Sequence, residues 1–153
     1  MSAEARLAEL GLTLPDPPGA VASYVPTVRT GDLLFVSGQV PLRDGQLPRL
    51  GLVGADVSEE DAIEEARWCG VNCLAHLRAA LGSLDAVERI VKLTVFVASA
   101  PGYAGQPVVA NGASDLMIEV FGEAGRHARA AVGCAMLPLN VPVEVDMIAA
   151  VHA

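Results

Sequence analysis

Arg129, Glu144 and Asp146 are the residues whose types and spacing could act on a small molecule. They lie on two stretches of alternating polarity, residues 129–136 and 143–150, which read as two strands joined by a Pro-containing turn. In the first, Ala130, Val132, Cys134 and Met136 point one way and Arg129, Ala131 and Gly133 the other. In the second, Val143, Val145, Met147 and Ala149 form an apolar face, with Glu144 and Asp146 opposite. The pattern predicts one fixed cation and two carboxylates on a polar face among small residues, which leave a hollow. A planar guanidinium can grip a carboxylate through two parallel hydrogen bonds. A carboxylate can hold water against a reactive carbon or pass a proton. The structural alternatives are an ion pair for Arg129 and, for Glu144, a solvated strand position or a partner for Lys92. Paired as a hairpin about Leu139, the strands set Arg129 opposite the region of Ala149, roughly 15 Å from Glu144. A site using both would then draw on two subunits.

Other residues carry weaker signals. Cys69, Cys73 and His76 stand at i, i+4 and i+7 of a helix, spanning about 10.5 Å of axis. One ion cannot readily take all three, so no metal site is read here. His127 reads as a loop histidine near the mouth, and Trp68 as a residue packed at an edge or interface. Tyr24 reads as a strand aromatic on the core, and Ser37-Gly38 as a strand end. Asn111 can cap a helix or bind a ligand.

The elements that must position these residues follow in order. Residues 1–20 form an N-terminal arm, either a short helix or loose, ended by L-P-D-P-P-G. Residues 21–153 form a single domain. Residues 22–29 and 33–37 read as strands around a Thr30-Gly31-Asp32 turn, and 50–53 as a possible short strand. Ser58 caps a helix with carboxylates in its first turn and an apolar stripe at 62, 66, 69, 73, 77 and 81; Gly82 ends it. Residues 88–98 form a strand with Val91, Leu93, Val95 and Val97 on one face. A Gly/Pro loop leads to a helix over 108–121. The order predicts an α+β fold, a mixed sheet of five or six strands with two helices on one face. The other face, with Phe35, Phe96 and Ile148 beside Lys92, Arg129 and Glu144, is half apolar and suits closure against copies of the chain.

Composition agrees. Hydrophobic residues make up 52% and mean hydropathy is +0.44, which predicts apolar surface buried between subunits. No apolar run reaches the roughly 18 residues a membrane span needs, and the N-terminus lacks a signal peptide's apolar segment. A net charge of −8 without a Lys/Arg cluster argues against nucleic acid as a partner. Three cysteines suit a reducing cytoplasm without disulfides.

Six motifs carry a resemblance: S-G-Q-V-P at 37–41, I-V-K-L-T-V-F-V at 90–97, Asn111 before a helix ending in V-F, A-R-A-A-V at 128–132, L-P at 137–138 and V-E-V-D-M-I-A at 143–149. From about Tyr24 onward the chain resembles the YjgF/YER057c/UK114 family, the RidA-type reactive intermediate deaminases also labelled endoribonuclease L-PSP. The resemblance implies a chorismate-mutase-like fold, a homotrimer with clefts between subunits, and no cofactor. It implies a hydrolase acting on enamines and imines such as 2-aminoacrylate and 2-iminopropanoate, yielding 2-oxo acids and ammonia. By the same resemblance Arg129 binds the substrate carboxylate, Glu144 handles water and protons, and Tyr24, Ser37, Gly38, Asn111 and the Ala131 backbone line the pocket. The chain departs from the family at Ser23 and His127, where the family usually has Pro, and at Ala131, where many relatives carry Cys. The 99–107 loop departs too. Without a thiol at 131, covalent chemistry there is impossible. A non-catalytic binder of small carboxylates and a ribonuclease are the alternative functions.

Overall fold

The computed structural model describes residues 1–17, 19 and 22–152. The boundary expected between residues 20 and 21 lies outside the described residues. The N-terminal segment is a helix, α1 (Ala3–Glu9), whose Ser2 cap accepts a hydrogen bond from the Ala5 amide at 3.2 Å. Ala3, Leu7 and Leu14 are buried in the main core, so this segment is built into the fold.

Two strands follow, β1 (Thr27–Thr30) and β2 (Leu33–Gln39), paired as a hairpin through Gly31 and Asp32. The strand expected over residues 22–29 is confined to its end: Pro26 has no N–H for a ladder and the chain bends at Ala22–Tyr24. Residues 50–53 contribute only isolated bridges from Val53, to Val57 and Ser99. Helix α2 (Glu59–Leu81) begins and ends as its sequence predicts. Ser58 Oγ accepts from the Asp61 amide at 3.1 Å, and Gly82 closes the helix at φ 81°. Strand β3 (Val87–Ala98), helix α3 (Gln106–Phe121), strand β4 (Ala128–Cys134) and strand β5 (Val143–Val151) complete the chain.

The sheet has five strands in the order β1-β2-β5-β3-β4. The hairpin expected between the last two strands does not form. β4 is an edge strand lying parallel to β3, reached through α3, while β5 enters the sheet antiparallel between β2 and β3. α2 and α3 cover one face, where Leu34, Val36, Leu93, Val95, Val97 and the odd-numbered residues of β5 are buried. A register irregularity between Ile90 and Lys92 puts Ile90, rather than the expected Val91, into this layer. The two helices approach so closely that a Cβ on Gly112 would fall 2.0 Å from the Ile63 carbonyl oxygen, so glycine is required there.

The uncovered face is mixed as expected, but Arg129 is not on it. Phe35 and Val132 are 39% and 42% exposed on it, near half-buried Phe96 and Ile148. Residues 40–49 are strapped to α2. The Asn72 amide donates to the carbonyls of Val40 and Leu42 at 2.8 and 3.0 Å, and Arg43 and Arg49 both pair with buried Glu65. Arg43 also lies over the Trp68 ring, 4.9 Å from its centroid.

Candidate active site

The sequence-predicted site residues fall into two groups. The first surrounds Arg129 on β4. Its register partner is Leu93, which faces the helices, and Arg129 faces them too. Arg129 Nη1 donates to Asn111 Oδ1 at 2.8 Å and to Ser114 Oγ at 3.1 Å, and Nη2 donates to the Pro107 carbonyl at 3.2 Å. A guanidinium has five N–H donors. Nε and one N–H of Nη2, which flank its side-on edge, have no protein partner among the described residues. That edge is the one a carboxylate meets with two parallel bonds. Asn111 does not cap α3, which starts five residues earlier from Gly105; it holds Arg129. Ala131 follows on the same side, packed against the main core.

His127 extends this network. Its Nδ1 lies 2.6 Å from the Gly125 carbonyl oxygen, which accepts but cannot donate, so Nδ1 carries the proton. Nε2 is then an acceptor, and Ser114 Oγ donates to it at 3.0 Å while accepting from Arg129. Burial, aided by the Arg129 charge, holds the imidazole below its usual pKa against the pull of the Gly125 carbonyl. Ser114 and His127 therefore form an ordered chain behind Arg129.

The second group lines a cavity of about 590 Å³ and contains Tyr24, Ser37, Gly38 and Glu144. Tyr24 is 50% exposed at the rim rather than packed on the core as a strand aromatic. Ser37 is tied to its neighbour segment: its amide donates to the Pro26 carbonyl at 2.9 Å and its hydroxyl to the Val25 carbonyl at 2.8 Å. The Ser37 amide is thus not free for substrate. Glu144 lies directly on Gly38, where a Cβ would stand 2.1 Å from its Oε1, so a side chain there would push the carboxylate aside. Burial, and then the neighbouring Asp146 charge, raise Glu144 above the usual carboxylate range. The remaining wall is largely apolar, with Val40, Leu42, Pro138 and Leu139, and includes His76.

The two groups do not meet in one chain. Arg129 is level with Leu93 and Met147, whereas Glu144 is level with Phe96 and Val132. Three residues along and two strands across separate them by about 14 Å, and their side chains leave opposite faces of the sheet. The expectation that Arg129 shares the polar face with Glu144 is therefore corrected. Parallel pairing with β3 reverses the predicted faces of β4, turning Arg129 and Ala131 toward the helices and Val132 outward. Cys134 likewise leaves the main core. It packs on a smaller cluster with Ala98, Leu137 and Val141, and burial and then the charge of Glu144 push its thiol up.

The sequence reading missed Ser114, and it left His127 as a loop residue and His76 as a helix residue near two cysteines. Asn111 and Ser114, polar at i and i+3 of α3, were a signal that one face of this helix holds something polar. The thiols of Cys69 and Cys73 donate to the Val143 and Val145 carbonyls at 3.5 Å, and burial raises both. Among the described residues no group of three or more His, Cys, Asp or Glu is placed to hold a metal ion.

A five-stranded mixed sheet in this order, with two helices on one face and the other face open, is the chorismate-mutase-like α+β fold. The chain belongs to the family described as "YjgF/chorismate mutase-like, putative endoribonuclease", which matches residues 4–151. It is 47% identical to Protein TCP17 of Trypanosoma cruzi over 143 residues, covering 93% of this chain and 89% of that one. It is 32% identical to the "Putative reactive intermediate deaminase TdcF" of Escherichia coli, covering 86% and 89%. Among solved structures it is similar to Atu1372 of Agrobacterium tumefaciens, described as of unknown function, with 50% identity, a TM-score of 0.92 and coverage of 98% and 92%. The structure of Escherichia coli TdcF with bound serine is similar at 28% identity and a TM-score of 0.65, covering 90% and 94%.

Proposed function

We propose that this protein is a hydrolase that deaminates enamine and imine intermediates of amino acids, of the 2-aminoacrylate and 2-iminopropanoate type, to 2-oxo acids and ammonia. The reaction takes place at sites built between copies of the chain in a homotrimer. The observation that carries this reading is the division of labour in the site. One group offers a held guanidinium edge that fits a carboxylate. The other offers a carboxylate whose affinity for protons is raised. Neither alone can both bind and hydrolyse an imino acid, and one chain keeps them about 14 Å apart. The edge strand β4 of one copy, seated against the Tyr24–Glu144 cavity of a neighbour, brings them together. The relative named a reactive intermediate deaminase and the TdcF structure with bound serine support a small, carboxylate-bearing ligand.

In this mechanism Arg129 fixes the imino acid by its carboxylate. Glu144 takes a proton from water as the oxygen adds to the C=N carbon and passes it to the nitrogen, giving the carbinolamine. It then takes the carbinolamine's hydroxyl proton and delivers it to the nitrogen as the C–N bond breaks, leaving the 2-oxo acid and ammonia. A carboxylate held above its usual range suits this exchange near neutral pH. The imine is already reactive, so orientation and fixed charge supply most of the effect. The reading needs no cofactor.

The alternative is a non-catalytic binder of small 2-oxo or amino acids. The family's ribonuclease label finds little support in a chain of net charge −8. No helix among the described residues is long and apolar enough to cross a membrane. Three unpaired cysteines suit the cytoplasm. Imines generated in situ from amino acids and followed in single turnover decide between enzyme and binder. Accelerated hydrolysis that falls at least about tenfold in Arg129→Lys supports the enzyme. No acceleration by the parent, with 2-oxo acid binding lost in Arg129→Lys, establishes the binder.

A further inference from the structure

The cavity beside Glu144 crosses from one layer of the fold to the other. Glu144 projects from the open face of the sheet, whereas His76 belongs to α2 on the covered face, and both line the same 590 Å³ space. The cavity opens beside a bulge in β2: its register with β5 shifts by one residue between Val36 and Gln39, which pairs with Val145. Beyond the break, Asn72 of α2 takes the Val40 and Leu42 carbonyls. His76 lies one turn after Asn72 on the same helix face. It is only 4% exposed, and among the described residues neither ring nitrogen has a hydrogen-bond partner. Among the described residues neither nitrogen is a buried polar atom left without a partner, so the ring is open to the cavity and can hydrogen-bond a molecule inside it. Burial keeps this imidazole below its usual pKa, and hence neutral, with one donor and one acceptor nitrogen.

The space between Glu144 and His76 is walled by Val40, Leu42 and Leu139. The methyl group of 2-iminopropanoate would leave most of it empty. We propose that this cavity receives the side chain of the substrate. The preferred imines then derive from amino acids with long, uncharged side chains whose far end hydrogen-bonds to His76. His76 is on this view a specificity-determining residue. The inference rests on the deaminase reading for its chemistry, but not for its binding geometry. The neutral imidazole and apolar wall disfavour an anionic tip, which would be buried near the Glu144 carboxylate without a counter-ion, and Glu144 itself is engaged at the reacting carbon.

The test compares imines generated in situ from alanine, from tyrosine and phenylalanine, and from methionine and norleucine. The first pair differs by a hydroxyl at the far end of the side chain, and the second by a weakly accepting sulfur in place of the methylene next to the terminal methyl. The larger imines should exceed the alanine imine about tenfold in kcat/KM. At least one polar-tipped member should exceed its apolar counterpart about fivefold, the worth of one hydrogen bond. His76→Phe should erase that second ratio. Equal or better turnover of the alanine imine, or ratios untouched in His76→Phe, would overturn the inference. If no imine is hydrolysed, the deaminase reading fails, and the cavity is tested separately with the parent protein. Histidine-labelled NMR should show the His76 ring signals shift on titration with 4-hydroxyphenylpyruvate and not with pyruvate. Unchanged signals at saturation, as when a neighbouring copy or trapped water fills the cavity, would sink it.

Discussion

Arg129 and Glu144 leave opposite faces of the sheet about 14 Å apart, so their cooperation can be tested by mixing two defective chains. Arg129→Lys removes the two-point grip, and Glu144→Gln removes the proton acceptor. Each lost charged contact is worth about 1.5–3 kcal/mol, so each variant alone should fall to a few per cent of the parent's imine hydrolysis. In the proposed trimer, assembled at random from equal amounts of the two, each site would take its arginine from one copy and its carboxylate from the next. Half of the chains supply an intact arginine and the other half an intact carboxylate, so about one quarter of the sites are whole. Co-refolding the variants, with mixed trimers verified by native mass spectrometry, should therefore restore about one quarter of the parent rate. Activity no higher than the mean of the separate variants would refute the shared site. So would a stable monomer by light scattering.

Glu144 sits above its ordinary value of 4.5 in the folded chain. As pH rises through that window the unfolded chain releases a proton that the folded one retains, so ionising Glu144 opposes folding at neutral pH. Glu144→Gln should raise the calorimetric midpoint at pH 7 and lose this advantage well below pH 4.5; coincident midpoints at pH 7 would count against the burial of this carboxylate. Ser114→Ala cuts the link between His127 and Arg129 and should raise KM roughly fivefold with little change in kcat, the worth of one hydrogen bond, with partial recovery in Ser114→Thr. A fall in kcat at constant KM would show that Ser114 does something other than position Arg129. Glu65→Ala leaves Arg43 and Arg49 without the buried carboxylate that both contact. Denaturant unfolding should show a loss of about 3–5 kcal/mol, and a loss below about 1 kcal/mol would mean that the strap over residues 40–49 is held by Asn72 and packing instead.

Much of the fold was legible because local rules agree with tertiary ones. The caps of α2, the alternation of β5 and the open mixed face each follow from a few residues. The placement of β4 was not legible. Its residues are small on both sides, so Ala130, Val132 and Cys134 look as fit for a core as Ala131 and Gly133 do, and alternation cannot assign a face. What decides is the parallel crossover through α3, a long-range choice that a turn-like L-P-L-N between neighbouring strands conceals. Arg129, Glu144, Tyr24, Gly38 and Asn111 could be singled out as candidates residue by residue, but their division between two faces could not be read. Nor could the helical spacing of His76 reveal that it would share a cavity with Glu144 beside the bulge in β2.

The central place of β5 bears on how the chain reaches this structure. β5 is the last strand in the sequence, yet it joins β2 to β3, pairing Leu33 with Ala150 and Phe35 with Ile148. Until it arrives, the first hairpin and the β3–α3–β4 unit have no strand in common. Such pairings close large loops and form slowly. During synthesis the apolar faces of α2 and of both half-sheets wait for the final strand, with their edges unpaired. A substitution that weakens β5, such as Val145→Asp, should thus be felt first in the yield of soluble chain, before any effect on the site could be measured.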